Sequence, residues 1–313
     1  MPERMAGRRM RFATQSGGAA TGPEWLATAR RMEEIGYGTL AMPDHMAGNA
    51  WACLPALAAA AVATTRLRLG TLVIDNDFRN PVVFAREIAA LDVISEGRLE
   101  LGIGAGWFDR DYQGTGIPMD RGRVRVARLA EAVGLLKRLF AEDEVTFAGT
   151  YYRTQQAECR PRPVQRPHPP LLIAGGGPEI LALAGAEADI VAILPPGAGA
   201  RPATAEQVAI GGARTQIAQV HAAAGDRFAR IELSIFLDVI LTEDREAAIA
   251  SLAEKGKTDP EIIRGSIYRG IGTLAEVRAH ILRVREALGI TYFCLRGPHV
   301  EALAPIVHEL TGG

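Results

Sequence analysis

Two short stretches of this 313-residue chain have the residue types and spacing to do chemistry: Asp44-His45 and Gly175-Gly176-Gly177. The glycines close an apolar run, Pro169–Ala174, and open a segment with Pro178 in its first turn, so they join a buried strand to a helix. Unpaired backbone N–H groups at the positive end of a helix attract anions, and phosphate is the usual one. A tight turn without a ligand would use the same glycines. His45 is the one histidine of six at the end of a strand on the candidate active face, where it would serve as general acid or base, or as a structural hydrogen-bonding group. Asp44 would orient that ring or face a ligand, but adjacent strand residues point oppositely and cannot share one job. Asp75 and Asp77 alternate like a pair of metal ligands. No third ligand accompanies them and Asn76–Pro81 reads as a loop entering a helix, so capping is expected and no metal. Trp51 and Trp107 are candidates for the wall of a substrate pocket, or for core; Trp107 is the better placed, directly after Gly104-Ala105-Gly106.

These residues need elements to hold them. Apolar β-type runs occur at Met10–Gln15, Thr39–Pro43, Leu67–Ile74, Leu99–Gly104, Pro170–Ala174, Asp189–Leu194, Ile231–Leu241 and Thr291–Arg296. Helical runs separate them: Pro23–Ile35, Leu54–Ala63, Pro81–Ile94, Arg121–Phe140, Pro178–Ala188, Ala205–Ala224, Asp244–Ala253 and Thr273–Leu288, with Val300–Leu310 closing the chain. Eight βα units predict an α/β fold, a single (β/α)8 TIM barrel over residues 1–313, with an open doubly wound sheet as the alternative. Insertions are expected after strands four, six and seven: a hairpin and Pro-rich stretch in Thr146–Pro169, a mobile loop in Pro195–Thr204, and an irregular segment in Thr258–Gly272. In a barrel, chemistry sits at the C-terminal ends of the strands, where Gln15, Ser16 and Arg296 also lie.

Composition narrows the partners. A net charge of −1 gives no electrostatic case for nucleic acid or a membrane surface. Cys53, Cys159 and Cys294 are scattered, which predicts neither a metal site nor disulfides and suits a reducing cytoplasm. Met1–Arg11 has arginines without an apolar stretch behind them, so no signal peptide is expected, and Ala52–Ala63 is too short to span a bilayer. There is no G-x-S-x-G elbow and no P-loop. Gly102-Ile103-Gly104-Ala105-Gly106 is half a dinucleotide fingerprint without its ribose-binding acid, and its glycines read as letting a flat cofactor lie against backbone.

Taken together, Met42-Pro43-Asp44-His45, Leu69-Gly70-Thr71-Leu72-Val73, Arg79-Asn80-Pro81, the stretch Ser95 to Trp107, and Arg162-Pro163-Val164-Gln165 with Ile173 to Pro178 resemble the luciferase-like monooxygenase superfamily. The resemblance is to the branch that uses the deazaflavin coenzyme F420. It implies a barrel carrying the cofactor phosphate at Gly175, Gly176, Gly177, Glu179 and Ile180. It implies the ring near Asp44, Asp75, Ala105 and Gly106, backed by a non-proline cis peptide at Leu72–Val73. It implies hydride transfer between F420 and a small organic substrate, with His45 as proton donor or acceptor, and a homodimer. Trp107 stands where the sugar-phosphate dehydrogenases of the branch carry a catalytic glutamate, which implies a more apolar or aromatic substrate than glucose 6-phosphate. An FMN-dependent monooxygenase using O2, a non-catalytic cofactor-binding barrel, and a phosphate-binding lyase or aldolase are the alternatives. The last lacks a Schiff-base lysine at any strand end.

Overall fold

A closed ring of parallel strands organises the computed structural model, which describes residues 8–48, 50–197 and 203–312. The elements in chain order are β1 (Arg11–Gln15), α1 (Gly22–Ile35), β2 (Thr39–Met42), α2 (Cys53–Ala63), β3 (Arg68–Thr71), β4 (Ile74–Asp75), α3 (Pro81–Ile94) and β5 (Leu99–Gly104). There follow α4 (Asp109–Thr115), α5 (Gly122–Ala141), β6 (Val145–Ala148), β7 (Arg153–Ala157), β8 (Leu171–Gly175), α6 (Pro178–Glu187), β9 (Ile190–Ile193), α7 (Ala205–Val208) and α8 (Ile210–Ala224). The chain ends with β10 (Glu232–Leu241), α9 (Arg245–Gly256), α10 (Pro260–Gly265), β11 (Arg269–Gly272), α11 (Leu274–Leu288), β12 (Tyr292–Arg296) and α12 (Ala304–Thr311).

The ring runs β1, β2, β3, β5, β8, β9, β10, β12 and back to β1, so the open doubly wound sheet is excluded. Local signals close the helix ends. Thr21 caps α1 and Gly36 ends it at φ 89°; Asn80 caps α3 ahead of Pro81; Thr273 and Glu276 form a capping box on α11. Inward-facing positions are mostly small, with Ala13, Ala41, Ala174, Ala192 and Cys294 in the lumen cluster beside Leu72 and Leu172. Outward-facing Phe12, Leu40, Leu69, Leu101, Ile103, Ile173, Val191, Leu237 and Phe293 pack beneath the helices as the main core.

Four features depart from the periodic reading. The third strand is interrupted: β3 ends at Thr71, β4 resumes at Ile74, and the Leu72–Val73 peptide between them is cis. The run Ala205–Ala224 splits at Ala209, because the Val208 carbonyl turns away to accept the Ile267 amide at 2.9 Å. Thr258–Gly272 is not irregular; it holds α10 and the strand β11, which pairs with the upper end of β10. Asp238 is the register partner of both Arg296 and Arg269, so β11 lies on the edge of β10 opposite β12. After strand four the chain forms α4, which the periodic reading lacks, and beyond α5 the expected hairpin, antiparallel β6–β7, whose turn amides at Thr150, Tyr151 and Tyr152 bind the Glu131 carboxylate at 2.6–2.9 Å. Residues 198–202 of the loop read as mobile lie outside the described residues.

Candidate active site

His45 leaves the end of β2 on a short loop, and α4 reaches back to hold it. The Nδ1 atom of His45 lies 2.6 Å from Asp111 Oδ2. The other carboxylate oxygen of Asp111 accepts the backbone amides of Met46 at 2.9 Å and Ala47 at 2.7 Å. Asp111 is buried, whereas the His45 side chain keeps 32% of its surface. The rings of Trp107 and Phe108 stand nearly perpendicular to the imidazole, at ring-centre distances of 5.9 and 5.7 Å. Trp107 itself is 47% exposed. A histidine held at one nitrogen and with about a third of its side chain exposed can carry a proton to or from a bound molecule.

Asp44 does not orient this ring. Its carboxylate is taken by the Arg79 guanidinium, with Nη2 2.9 Å from Oδ1 and Nη1 on Oδ2, and Oδ2 also accepts the Asp75 amide at 3.2 Å. The pair fastens the end of β2 to β4 and to the loop entering α3. Asp75 caps the turn Asn76–Phe78 by accepting the Asp77 amide at 2.9 Å, the use expected from sequence. The Tyr112 hydroxyl lies 3.3 Å from Asp75 Oδ1 and 3.1 Å from Asp77 Oδ2, and Arg128 Nη1 lies 2.9 Å from Asp77 Oδ1. Burial pushes the Asp75 carboxyl up to about 6, with the nearby Asp77 and Asp44 carboxylates adding to the rise against the hydrogen bonds from the Asp77 amide and Tyr112. Gly106 crosses directly over this carboxylate at φ 73°; a side chain there would meet both Asp75 and Tyr112. Arg125 holds the strand end in place, binding the carbonyls of Ala105 at 3.0 Å and Gly106 at 3.2 Å.

Leu72 and Val73 face the lumen cluster, and Gln15 at the end of β1 donates to the Leu72 carbonyl at 2.7 Å. Trp51 is drawn elsewhere: its ring packs 6.2 Å from that of buried Trp25, and Gly18 lies against it. The glycine triplet sits at the β8–α6 turn. The first intrahelical bond of α6 is donated by Leu181 to Gly177, so the amides of Glu179 and Ile180 precede it and Pro178 has none to offer. Gly175 lies against Ile180. At Gly176 an added Cβ would stand 2.6 Å from the Pro195 carbonyl oxygen and nearer still to that of Leu194, so the protein's own backbone requires this glycine. A Cβ added at Gly177 would meet nothing nearer than Glu179 Oε2 at 4.0 Å, so this glycine borders open space. Gln216 of α8 pins the turn from behind, donating to the carbonyls of Gly176 at 3.0 Å and Leu194 at 2.8 Å.

Asp111, Tyr112, Arg125 and Gln216 escape a reading of the sequence, and Arg79 enters it only within the Arg79-Asn80-Pro81 motif, without a role. The only local signal for Asp111 and Tyr112 is an acidic first turn, Asp109 and Asp111, in a segment too short to read as a barrel helix. Among the described residues no cluster of three or more metal-binding side chains occurs, and no helix is long and apolar enough to cross a membrane.

Comparison with known proteins identifies the family and the fold. The chain is 38% identical over 168 residues to the F420-dependent glucose-6-phosphate dehydrogenase of Intrasporangium calvum, a match covering 51% of this chain and 50% of the relative. It is 25% identical over 204 residues to the FMNH2-dependent dimethylsulfone monooxygenase of Pseudomonas putida, covering 65% of this chain and 53% of that one. The alignment thus spans about half the length of the curated relatives. In fold, it superposes on an F420-dependent secondary alcohol dehydrogenase with a TM-score of 0.81 at 21% identity, over 97% of this chain and 98% of that one. The family model for luciferase-like monooxygenases matches residues 10–277, most of the length of the barrel, and the chain belongs to that family.

Proposed function

We propose that the protein is an F420-dependent oxidoreductase that moves a hydride between the deazaflavin and a small organic substrate. The observation that carries the reading is the assembly at one barrel mouth of a clamped, half-open histidine and glycine backbone crossing a buried acid, with a helix N-terminus left open at the end of β8. Those residues fit the cofactor. The free amides of Glu179 and Ile180, beside an open Gly177, would hold a phosphate. Asp44, Leu72, Val73, Asp75, Ala105 and Gly106 would border the ring. F420, when bound, supplies a two-electron hydride donor or acceptor. His45 supplies or takes the accompanying proton at Nε2, and Trp107 and Phe108 shield that exchange on one side.

Glucose 6-phosphate belongs to the relatives; several features here favour an uncharged substrate with an apolar or aromatic body. Trp107 projects beside His45, and Lys137, Lys255 and Lys257, the chain's only lysines, lie in α5, in α9 or just past it. Resemblance to the FMNH2-dependent relative supports a second reading, an FMN-dependent monooxygenase. We also infer one barrel domain over residues 1–313 and a homodimer. α2 lacks any charged residue, and exposed Val62 lies on it with exposed Val83 and Ile94 on the neighbouring α3.

Fluorescence titration with oxidised and reduced F420, and with FMN, tests the reading. Selective F420 binding is expected; selective FMN binding with oxygen uptake favours the second reading. Binding of neither overturns both. With F420 bound, His45→Ala is expected to lower turnover about 10²-fold or more at nearly unchanged cofactor affinity. Unchanged turnover removes His45 from the chemistry.

A further inference from the structure

We propose that Asp111 is the positioning residue that fixes His45 as the Nδ1–H tautomer and thereby presents the Nε2 lone pair to the barrel mouth. The inference about turnover rests on the proposed oxidoreductase reading; the tautomer does not. Asp111 is buried, and its two oxygens divide their work. Oδ1 accepts the amides of Met46 and Ala47 and so fixes the loop, while Oδ2 faces His45 Nδ1 at 2.6 Å. A carboxylate only accepts, so the ring nitrogen facing it carries the hydrogen. In the neutral ring the other nitrogen is then an acceptor, on the far side of a ring whose side chain keeps 32% of its surface while the carboxylate is buried. The neighbouring Tyr112 bridges Asp75 and Asp77, so one turn of α4 fixes both the histidine and the buried acid beneath Gly106.

The division of work makes Asp111→Asn a discriminating variant. Its carbonyl oxygen can still accept the two loop amides, whereas its NH2 would face His45 Nδ1 and donate to it, moving the ring hydrogen to Nε2. Long-range 1H–15N NMR of the neutral imidazole in the cofactor-free protein reads this directly. The wild type is expected to carry hydrogen on Nδ1 and D111N on Nε2. With F420 bound, D111N is expected to lose about 10²-fold or more in kcat with KM and F420 affinity within a few-fold, and Asp111→Glu to recover part of that loss. A wild-type ring protonated at Nε2 overturns the proposal, and that measurement stands even if the variant does not fold. A D111N protein with wild-type kcat also overturns it. Should F420 fail to bind while the tautomers follow expectation, the cofactor reading falls and the role of Asp111 in orienting the ring stands.

Discussion

Asp75 is a buried carboxyl with one oxygen already occupied by the Asp77 amide and the Tyr112 hydroxyl. Its position shows as a cost in stability. Burial raises it from an ordinary 3.8 to about 6, so between these values the folded protein holds more protons than the unfolded chain. Stability from this group therefore falls as pH rises through that window and stays lower above it. Asp75→Asn is expected to be more stable than wild type at pH 7.5, by on the order of 2 kcal/mol, and to lose that advantage near pH 4. Urea unfolding at the two pH values checks it; an advantage that does not change with pH would mean that the Asp75 charge is already well solvated. At the same scale, the glycines of the phosphate turn differ from one another. Gly176 is demanded by the carbonyls of Leu194 and Pro195, so substituting it disturbs the barrel as well as any ligand. Gly177 is the clean probe of backbone approach.

Elements come together through side chains that reach across the fold. Gln216 is the example for the phosphate turn: from α8 it ties the end of β8 to the end of β9, with Tyr268 3.4 Å from its own amide oxygen. Gln216→Leu removes the donor and leaves two carbonyls short of a partner. The expected cost is about 1–3 kcal/mol of stability, accompanied by weaker cofactor binding because the amides of α6 lose their fixed aim. Thermal unfolding and the F420 titration measure the two effects. A stability loss without a change in affinity would separate the turn from the cofactor. α4 plays the corresponding part elsewhere around the same mouth, joining the loops after β2 and β4 through Asp111 and Tyr112.

For the whole molecule, the barrel closes over a charged floor. Glu100 of β5, fully inside the lumen, accepts from Arg68 Nε at 2.8 Å, from the Tyr292 hydroxyl at 2.9 Å and from Arg11, whose guanidinium also binds Glu232 and lies 3.5 Å from the centre of the Tyr292 ring. These contacts come from β1, β3, β5, β10 and β12, so they join strands remote in sequence. Burial alone would raise the Glu100 carboxyl; the guanidiniums of Arg11 and Arg68 and the Tyr292 hydrogen bond outweigh it and hold the group below its ordinary value. A lowered carboxylate stabilises above its unfolded pKa and loses that contribution as pH falls through its folded one. Glu100→Gln is expected to cost about 3 kcal/mol at pH 7, because two arginines lose their buried counter-charge, and less in acid. Urea unfolding against pH reads both; a loss that does not shrink on acidification would indicate packing instead of charge.

The sequence by itself determined the order and kind of the barrel's elements. Eight apolar runs, glycine and proline stops, and the capping residues Thr21, Asn80 and Thr273 are local signals, and local backbone and hydrophobic patterning act on a few residues at a time. It also singled out His45, Gly106 and the glycine triplet, because residue type and position at a strand end are both visible along the chain. The tertiary structure alone decided their partners. His45 is held by a residue 66 positions away, Asp44 is neutralised by Arg79, and Gly176 is required by the carbonyls of another strand end. The break in the third strand and the pairing of β11 with β10 arise likewise from what packs alongside. Closing a ring brings such groups together through contacts of high sequence separation, and no periodicity within a single segment encodes them.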